Sequence, residues 1–393
     1  MDFTFSEEQQ AAVEAARAAL SDAAPDGGSL PSPAVGGEPI AEDLDRELWQ
    51  RLCKSDLTGI ALAEEYGGGG QSVLAWALVL REAGRVLARV PLLETGAAAL
   101  AVQHYGSAEL RRRVLPEVAA GRLLLSVAPH GRVAHEPAPD GVTAAPAGDG
   151  GWTLDGLQTA VPYAPLVDRV LVPARTPGGG VVLLLVDPRG SGVTTRRQVG
   201  THGEVSGELE FAAAPVERAW QLGEPEEDGA ADTWRRVRGL LEVGVAALCL
   251  GLGEDVLRRT AAYTSQREQF GHPLATFQAV AVQAADRFID LRAMAATLWQ
   301  AAWRMDLELR GEAPSGSALP IEADLATAKI WAAEGVRAVT ASAQHLHGGM
   351  GADLDNPLHR YHAWAKHLEL LLGPAAAYEE ELGDVLAKDA RRG

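Results

Sequence analysis

The second half of the chain carries apolar residues at helical spacing over segments much longer than an average helix. These segments cover 233–267, 276–311, 322–351 and 356–372. Asn356 is a good N-cap residue, and Pro357 suits the first helical position, so the last segment has a clear predicted start. Long helices joined by short loops favour an antiparallel arrangement. The pattern therefore predicts a C-terminal four-helix bundle over residues 229–393.

The middle of the chain has a different pattern. Short β-type runs separated by Gly, Pro and Asp fill residues 122–228, which predicts an antiparallel sheet or small barrel. Residues 1–121 return to helical spacing, and Ser6 followed by Gln9 predicts a capping box at the first helix. The predicted fold class is α+β, with an N-terminal helical domain, a middle β domain and the C-terminal bundle.

The charge balance and the cysteine usage exclude several functions. The chain has 35 basic and 53 acidic residues, a net charge of −18 that argues against a nucleic-acid partner. Cys53 and Cys249 are too few for a disulfide framework or a zinc site, and they suit a reducing cytoplasm. His345 and His347 do not share a helix face, so no metal site is expected. The sequence also predicts no signal peptide and no membrane span, because it lacks a long uncharged apolar run.

Two short motifs suggest ligand binding. In "REQFGHPLATFQ" (267–278), Arg267 closes a helix, and its guanidinium suits a bidentate contact with a phosphate. A solvated arginine that complements the helix dipole explains the same pattern. In "QHLHGGMG" (344–351), paired glycines allow a ligand close to the backbone, although they also serve simply to end a helix.

Taken together, the motifs resemble those of the acyl-CoA dehydrogenases, over nearly the whole chain. "EEYGGGGQS … REAGR" resembles one family segment, "REQFGHPLATFQ" matches R-x-x-F-G-x-x-[IL]-x-x-x-Q, and "QHLHGGMG" matches Q-x-x-G-G-x-G. "LHRYHAWAKHLELLLG" resembles the helix that carries R-D-A-K in the family. The resemblance implies domains at 1–121, 122–228 and 229–393, and FAD-dependent α,β-dehydrogenation of an acyl thioester carried by coenzyme A or by an acyl carrier protein.

The resemblance also implies the roles of individual residues. Arg267 would bind the FAD pyrophosphate, Phe270 would pack by the adenosine, and Gln278 would help to hold the dinucleotide. A neighbouring subunit would approach FAD with four residues: Gln344, His347, Gly348 and Gly349. Such a shared site implies a dimer or a tetramer, and electron-transfer flavoprotein is the expected electron acceptor.

The β domain departs from the family pattern. The family carries T-E-x-x-x-G-S-D and W-I-[ST] where this chain has "SVAPHGRVAHEP" (126–137) and "LQTAVPYAP" (157–165). The usual hydroxyl and tryptophan are missing there. Backbone contacts to the flavin from Val161 and Pro162 are still expected.

The catalytic base is the second departure. Aligning Lys366 with the family's R-D-A-K lysine places Leu372 at the position of the usual catalytic glutamate. Glu369 lies about 4–5 Å away along the helix axis at ~1.5 Å rise per residue, which is poor geometry for that role. Some relatives carry the base at the position of Leu241, next to Glu242 in an apolar helix that would raise the pKa of that carboxyl.

Three possibilities therefore stay open for the base: Glu242, Glu369 or no base in this chain. Glu242 paired with Arg236 or Arg238 at the bundle edge is the structural alternative to a catalytic Glu242. At the level of function, one hypothesis is a complete dehydrogenase. The other is a non-catalytic subunit of a hetero-oligomer, for example a hetero-tetramer, which completes FAD and substrate sites for a related chain.

Overall fold

A computed structural model of the chain describes residues 4–23, 44–132, 138–148, 150–223, 229–314 and 319–391. The end of the drifted segment 126–137 lies outside these residues. The chain forms two compact units, one made of residues 1–32, 77–88 and 242–393 and the other of residues 33–76 and 89–241. The predicted domain boundaries at 121 and 228 stay predictions.

Helices occupy the first part of the chain, as predicted. They are α1 (Glu7–Leu20), α2 (Arg46–Lys54), α3 (Val73–Arg85), α4 (Leu92–Tyr105) and α5 (Ala108–Ala119). The capping box at α1 is confirmed: the Ser6 hydroxyl accepts from the Gln9 backbone N–H at 3.2 Å, and the Gln9 side chain accepts from the Ser6 N–H at 3.0 Å. These two bonds satisfy backbone donors that a helix start otherwise leaves without partners.

A predominantly antiparallel sheet follows, in agreement with the predicted fold class. Its strands are β1 (Leu125–Val127), β2 (Val142–Pro146), β3 (Trp152–Pro162), β4 (Arg169–Arg175), β5 (Val181–Val186), β6 (Val193–Val199), β7 (Val205–Val216) and β8 (Gln221–Leu222). The hydrogen-bonded order is β6-β7-β3-β2-β4-β5-β8, and β1 pairs parallel with β4. The sequence patterns did not predict β2 and β8, and β8 has only two residues.

The C-terminal part is helical, and five of its helices lie within the described residues. They are α6 (Gly229–Gln266), α7 (Gln278–Arg310), α8 (Ile321–His347), α9 (Leu358–Leu370) and α10 (Ala375–Asp389), with a small hairpin of β9 (Glu268–Gln269) and β10 (His272–Pro273) between α6 and α7. The prediction that the fourth helix reaches Leu372 is wrong, because Leu372 has a left-handed φ of 68°. The sequence analysis also missed α10. Across the described residues, no helix is long and apolar enough to cross a membrane.

Glycines allow α3 and α6 to pack backbone against backbone. A Cβ added to Gly84 would lie 2.3 Å from the Leu248 carbonyl oxygen, and one added to Gly251 would lie 1.8 Å from the Arg81 carbonyl oxygen. Both distances are far shorter than a van der Waals contact, so only glycine fits at either position. The sequence "AGR … LGLGED" thus fixes how closely the two helices approach.

We expect Gly251→Ala to destabilise the protein by about 3 kcal/mol, because the new methyl group must push two helix backbones apart. Gly383→Ala in α10 is the matched control. It adds the same methyl group with nothing within 4 Å and should stabilise the fold by about 1 kcal/mol through helix propensity. Urea unfolding of both variants measures the difference. Equal effects would contradict the tight helix contact.

Candidate functional site

A hairpin between α6 and α7 presents Arg267 and Phe270. Helix α6 ends at Gln266, and the Arg267 N–H still donates to the Tyr263 carbonyl at 2.8 Å. Phe270 sits at the tip with a left-handed φ of 56° and is 91% exposed. Arg267 is also exposed. An aromatic ring and a guanidinium on one exposed tip offer a stacking surface beside a phosphate ligand.

Gln278 begins α7 directly after this hairpin and is exposed. Its neighbour Phe277 packs edge-on against Phe270, with ring centroids 6.4 Å apart. The predicted Arg267–Gln278 segment therefore forms one continuous surface.

A second exposed turn follows α8. The helix ends at His347, and Gly348 adopts a φ of 61° that an L side chain rarely takes. A Cβ on Gly348 or Gly349 would meet nothing within 4 Å, so the backbone faces open space. Gln344 is half-buried one turn earlier.

His347 joins the two turns. Its ring stacks on Tyr263 with centroids 4.3 Å apart and planes 17° apart. Burial lowers the pKa of His347, so the neutral ring donates from Nδ1 to the Ala343 carbonyl, 2.8 Å away. Because Tyr263 lies one turn before Arg267, the arginine hairpin and the glycine turn share one end of the bundle. An exposed guanidinium, an exposed aromatic ring and an open glycine backbone fit a dinucleotide ligand.

The turn after α9 is built around Lys329. This side chain is fully buried, and its ammonium donates to the carbonyls of Glu369 at 3.0 Å and Gly373 at 2.9 Å. It lies 5.4 Å from the Tyr378 ring centroid. Between the two carbonyls, Leu372 takes its left-handed conformation, and its own carbonyl accepts from the Tyr378 hydroxyl at 3.1 Å. The position predicted for a catalytic glutamate is thus a hydrogen-bonded turn with an aliphatic side chain.

The two acidic candidates lie on either side of this turn. Glu242 is 5% exposed, and its Oε1 accepts from the Tyr378 hydroxyl at 2.9 Å. One hydroxyl therefore lies within hydrogen-bond distance of both Glu242 and the Leu372 carbonyl. Glu369 instead pairs with the exposed Lys366, at 2.5 Å. The sequence predicted the apolar surroundings of Glu242 but gave no signal for Tyr378, which belongs to the unpredicted α10.

Val161 and Pro162 close strand β3. Val161 is fully buried, and the Pro162 carbonyl accepts from the Ser126 hydroxyl at 2.5 Å. Positive φ angles at Ala160 (52°) and Tyr163 (51°) bend the strand end on both sides. Strain of this kind is common at ligand-binding segments. The backbone contacts of Val161 and Pro162 with the flavin stay a prediction.

Two protein-family models match this chain. The family model "Acyl-CoA dehydrogenase, N-terminal domain" matches residues 6–122, and "Acyl-CoA dehydrogenase, C-terminal domain" matches residues 240–385. The chain is 38% identical to acyl-CoA dehydrogenase FadE27 of Mycobacterium tuberculosis, over 89% of this chain and 90% of that protein. This chain belongs to the acyl-CoA dehydrogenase family.

Solved structures extend the similarity to the whole fold. The ChsE4-ChsE5 complex from Mycobacterium tuberculosis matches with a TM-score of 0.86 and 34% identity, over 98% of this chain and 99% of the matched chain. The Tcur3481-Tcur3483 steroid ACAD G363A variant matches with a TM-score of 0.84 and 35% identity, over the same shares. The family assignment makes the chain a flavoenzyme with FAD as its cofactor. Among the described residues, no cluster of His, Cys, Asp and Glu is arranged to hold a metal ion.

His130 is a buried residue that the sequence analysis did not single out. It lies in the drifted segment that begins at residue 126, and burial lowers its pKa from 6.5 to about 4. The folded state therefore favours the neutral ring, whereas the unfolded state takes up a proton below pH 6.5. Its stabilising effect is complete above pH 6.5 and is lost as the pH falls toward 4.

We expect His130→Leu to make the free energy of unfolding depend less on pH on the acid side. Between pH 6.5 and 4 the variant should lose about 3 kcal/mol less than the wild type, since about 2.5 pKa units at 1.36 kcal/mol each are removed. Urea unfolding at a series of pH values measures both curves. Parallel curves over this range would show that His130 is not held neutral by the fold.

Proposed function

We propose that this chain is one subunit of a hetero-oligomeric acyl-CoA dehydrogenase whose related partner supplies the catalytic base. The observation that carries the proposal is Leu372, an aliphatic side chain in the turn where the sequence motifs predict the family's catalytic glutamate. An alkyl group cannot accept the α-proton of a thioester. Two structures that match this chain, the ChsE4-ChsE5 complex and the Tcur3481-Tcur3483 protein, carry two subunit names each, and this supports a paired assembly.

The substrate we infer is a steroid-derived acyl thioester. The basis is similarity to a protein described as a steroid ACAD, at 35% identity over 98% of this chain. Bound FAD would supply the hydride acceptor for the α,β-dehydrogenation of such a thioester, and a base would have to remove the α-proton. This chain would hold the pyrophosphate with Arg267, pack Phe270 by the adenosine and help to hold the dinucleotide with Gln278. It would approach the FAD of a neighbouring subunit with four residues: Gln344, His347, Gly348 and Gly349. Val161 and Pro162 would border the flavin through their backbone.

Exposed apolar side chains on α7 support an oligomer. Val282 is 51% exposed, Phe288 59% and Ile289 62%. Val282 and Ile289 are seven residues apart and share one face of the helix, and Phe288 lies about 100° around the helix from Ile289. Large apolar side chains that stay exposed close together on a helix mark an interaction surface. We propose that it contacts another subunit. An electron-transfer flavoprotein is the acceptor we infer, and a cytoplasmic location fits two cysteines outside any disulfide.

In the second candidate function, this chain is a complete dehydrogenase and Glu242 is its catalytic base. The Tyr378 hydroxyl favours it, because this one group lies within hydrogen-bond distance of both the Glu242 carboxylate and the Leu372 carbonyl, at the position predicted for the base. Against this, Glu242 is almost wholly buried and already accepts a hydrogen bond from that hydroxyl. A base must be able to reach the substrate.

Replacing Leu372 with Glu separates the two candidates. We expect the wild-type chain alone, loaded with FAD, to show no bleaching of the flavin by an acyl-CoA under anaerobic conditions. Leu372→Glu should bleach the flavin at a rate at least about tenfold above the background of the assay, because a positioned base contributes about 10²–10⁴-fold to proton transfer. Leu372→Gln has the same shape without the basic oxygen and should stay inactive.

The Glu242 hypothesis makes the opposite forecast in the same assay. Wild-type chain alone would bleach with substrate, and Glu242→Gln would abolish the bleaching while FAD stays bound. That result would overturn the subunit proposal. Bleaching only after co-purification with a related chain would support it.

Arg267→Gln tests the cofactor site. The loss of one charge-assisted contact to the pyrophosphate should weaken FAD binding by about 10–100-fold. Because Arg267 is exposed, the fold should not change, and the melting temperature of the FAD-free protein should match that of the wild type. Arg46→Gln, an exposed arginine at the start of α2, is the matched control. Unchanged FAD affinity in Arg267→Gln would remove this residue from the site.

A further inference from the structure

The first unit contains a basic cavity that lies outside the residues predicted for the dehydrogenase reaction. It is a surface cavity of about 350 Å³ between α1, α3 and α6. Four arginines and two carboxylates give it its polar character: Arg17, Arg85, Arg258, Arg259, Glu82 and Asp255. Such a concentration of guanidinium groups is unexpected on a chain of net charge −18.

Positive charge exceeds negative charge at this cavity. The lining holds four guanidiniums and two carboxylates, an excess of two positive charges. Behind the lining, Arg81 and Glu254 form a bidentate pair with both distances at 2.8 Å, so they add no net charge. Glu254 also accepts from Arg85 of the lining at 2.8 Å, which leaves the other N–H groups of Arg85 for a ligand. Glu14 acts on Arg17 electrostatically but is exposed and does not line the cavity. A concave site with walls of one sign concentrates the field on a small anion.

The carboxylates hold the arginines in fixed positions. Glu82 is 3% exposed, and its two oxygens accept from Arg17 at 3.0 and 3.3 Å. Asp255 accepts from Arg258 Nε at 2.8 Å and from Arg259 Nε at 2.6 Å. Burial acts to raise the pKa of Asp255, but hydrogen bonds from Arg259 and Tyr361 outweigh it and lower the pKa. Asp255 therefore stays ionised, and the hydrogen bonds of Glu82 and Asp255 orient the guanidiniums.

Donors remain for a ligand. Each guanidinium has five N–H groups, more than a shared carboxylate can accept. Arg17 and Arg258 have side chains 55% and 58% exposed, so the mouth of the cavity is lined by accessible guanidinium edges. Planar N–H forks match the oxygens of a phosphate, and two surplus charges match a dianion.

We infer that this cavity binds a phosphate dianion, and that its volume accommodates a phosphate monoester with a small organic group. The ligand is held between Arg17 and Arg85 on one side and Arg258 and Arg259 on the other. The site is separate from the Arg267 hairpin, which lies beyond the C-terminal end of α6.

Titration calorimetry of the FAD-loaded protein tests this inference. Inorganic phosphate and adenosine 5′-monophosphate are added at constant ionic strength, with sodium chloride and adenosine as controls. Both phosphates should bind one per chain, and neither control should. Tighter binding of the monophosphate identifies an ester as the ligand, whereas equal affinities identify the free anion.

Two substitutions locate the binding. Arg258→Gln and Arg17→Gln should each weaken phosphate binding at least about tenfold, because each removes one accessible charge-assisted donor. Arg46→Gln should not change it, and Arg267→Gln should keep it even as FAD is lost. Circular dichroism confirms that the variants fold. Absence of phosphate binding by the wild type, or equal affinity in all four variants, would overturn the inference.

Discussion

One buried ammonium group holds the C-terminal end of the bundle together. Lys329 is fully buried in α8, and its charge must be satisfied because an unpaired buried charge is very costly. It donates to carbonyls on both sides of the turn between α9 and α10 and lies against Tyr378. The end of α9, the conformation of Leu372 and the placement of α10 all follow from these contacts. Glu242 in α6 joins the same group through the Tyr378 hydroxyl.

Local signals in the sequence predicted those elements whose cause is local. The Ser6 capping box and the glycine end of α8 depend on neighbours along the chain, and both were predicted correctly. The turn at Leu372 was not, because leucine favours continuing the helix. A side chain more than forty positions earlier, Lys329, imposes the left-handed conformation instead. Tertiary contacts override helix propensity here.

In the candidate site, too, the sequence predicted the local motifs but not the contacts between distant segments. The sequence placed Arg267, Phe270 and the two glycines through short motifs, and the structure brings these segments together through the Tyr263–His347 stack. The stack itself had no motif, because its residues lie on helices distant in sequence. Glu242 was expected to be buried in an apolar helix, and it is. The sequence did not predict its hydrogen-bond partner Tyr378, because no pattern predicted α10.

The Lys329 contacts have an evolutionary consequence. They hold the turn through the backbone carbonyls of Glu369 and Gly373, so these contacts do not depend on which side chain stands at position 372. A duplicated gene could exchange a proton-abstracting residue there and keep the hydrogen bonds that hold the turn. The reverse exchange is equally open. Division of labour between paired subunits is therefore an easy step for a chain built this way, and a reversible one.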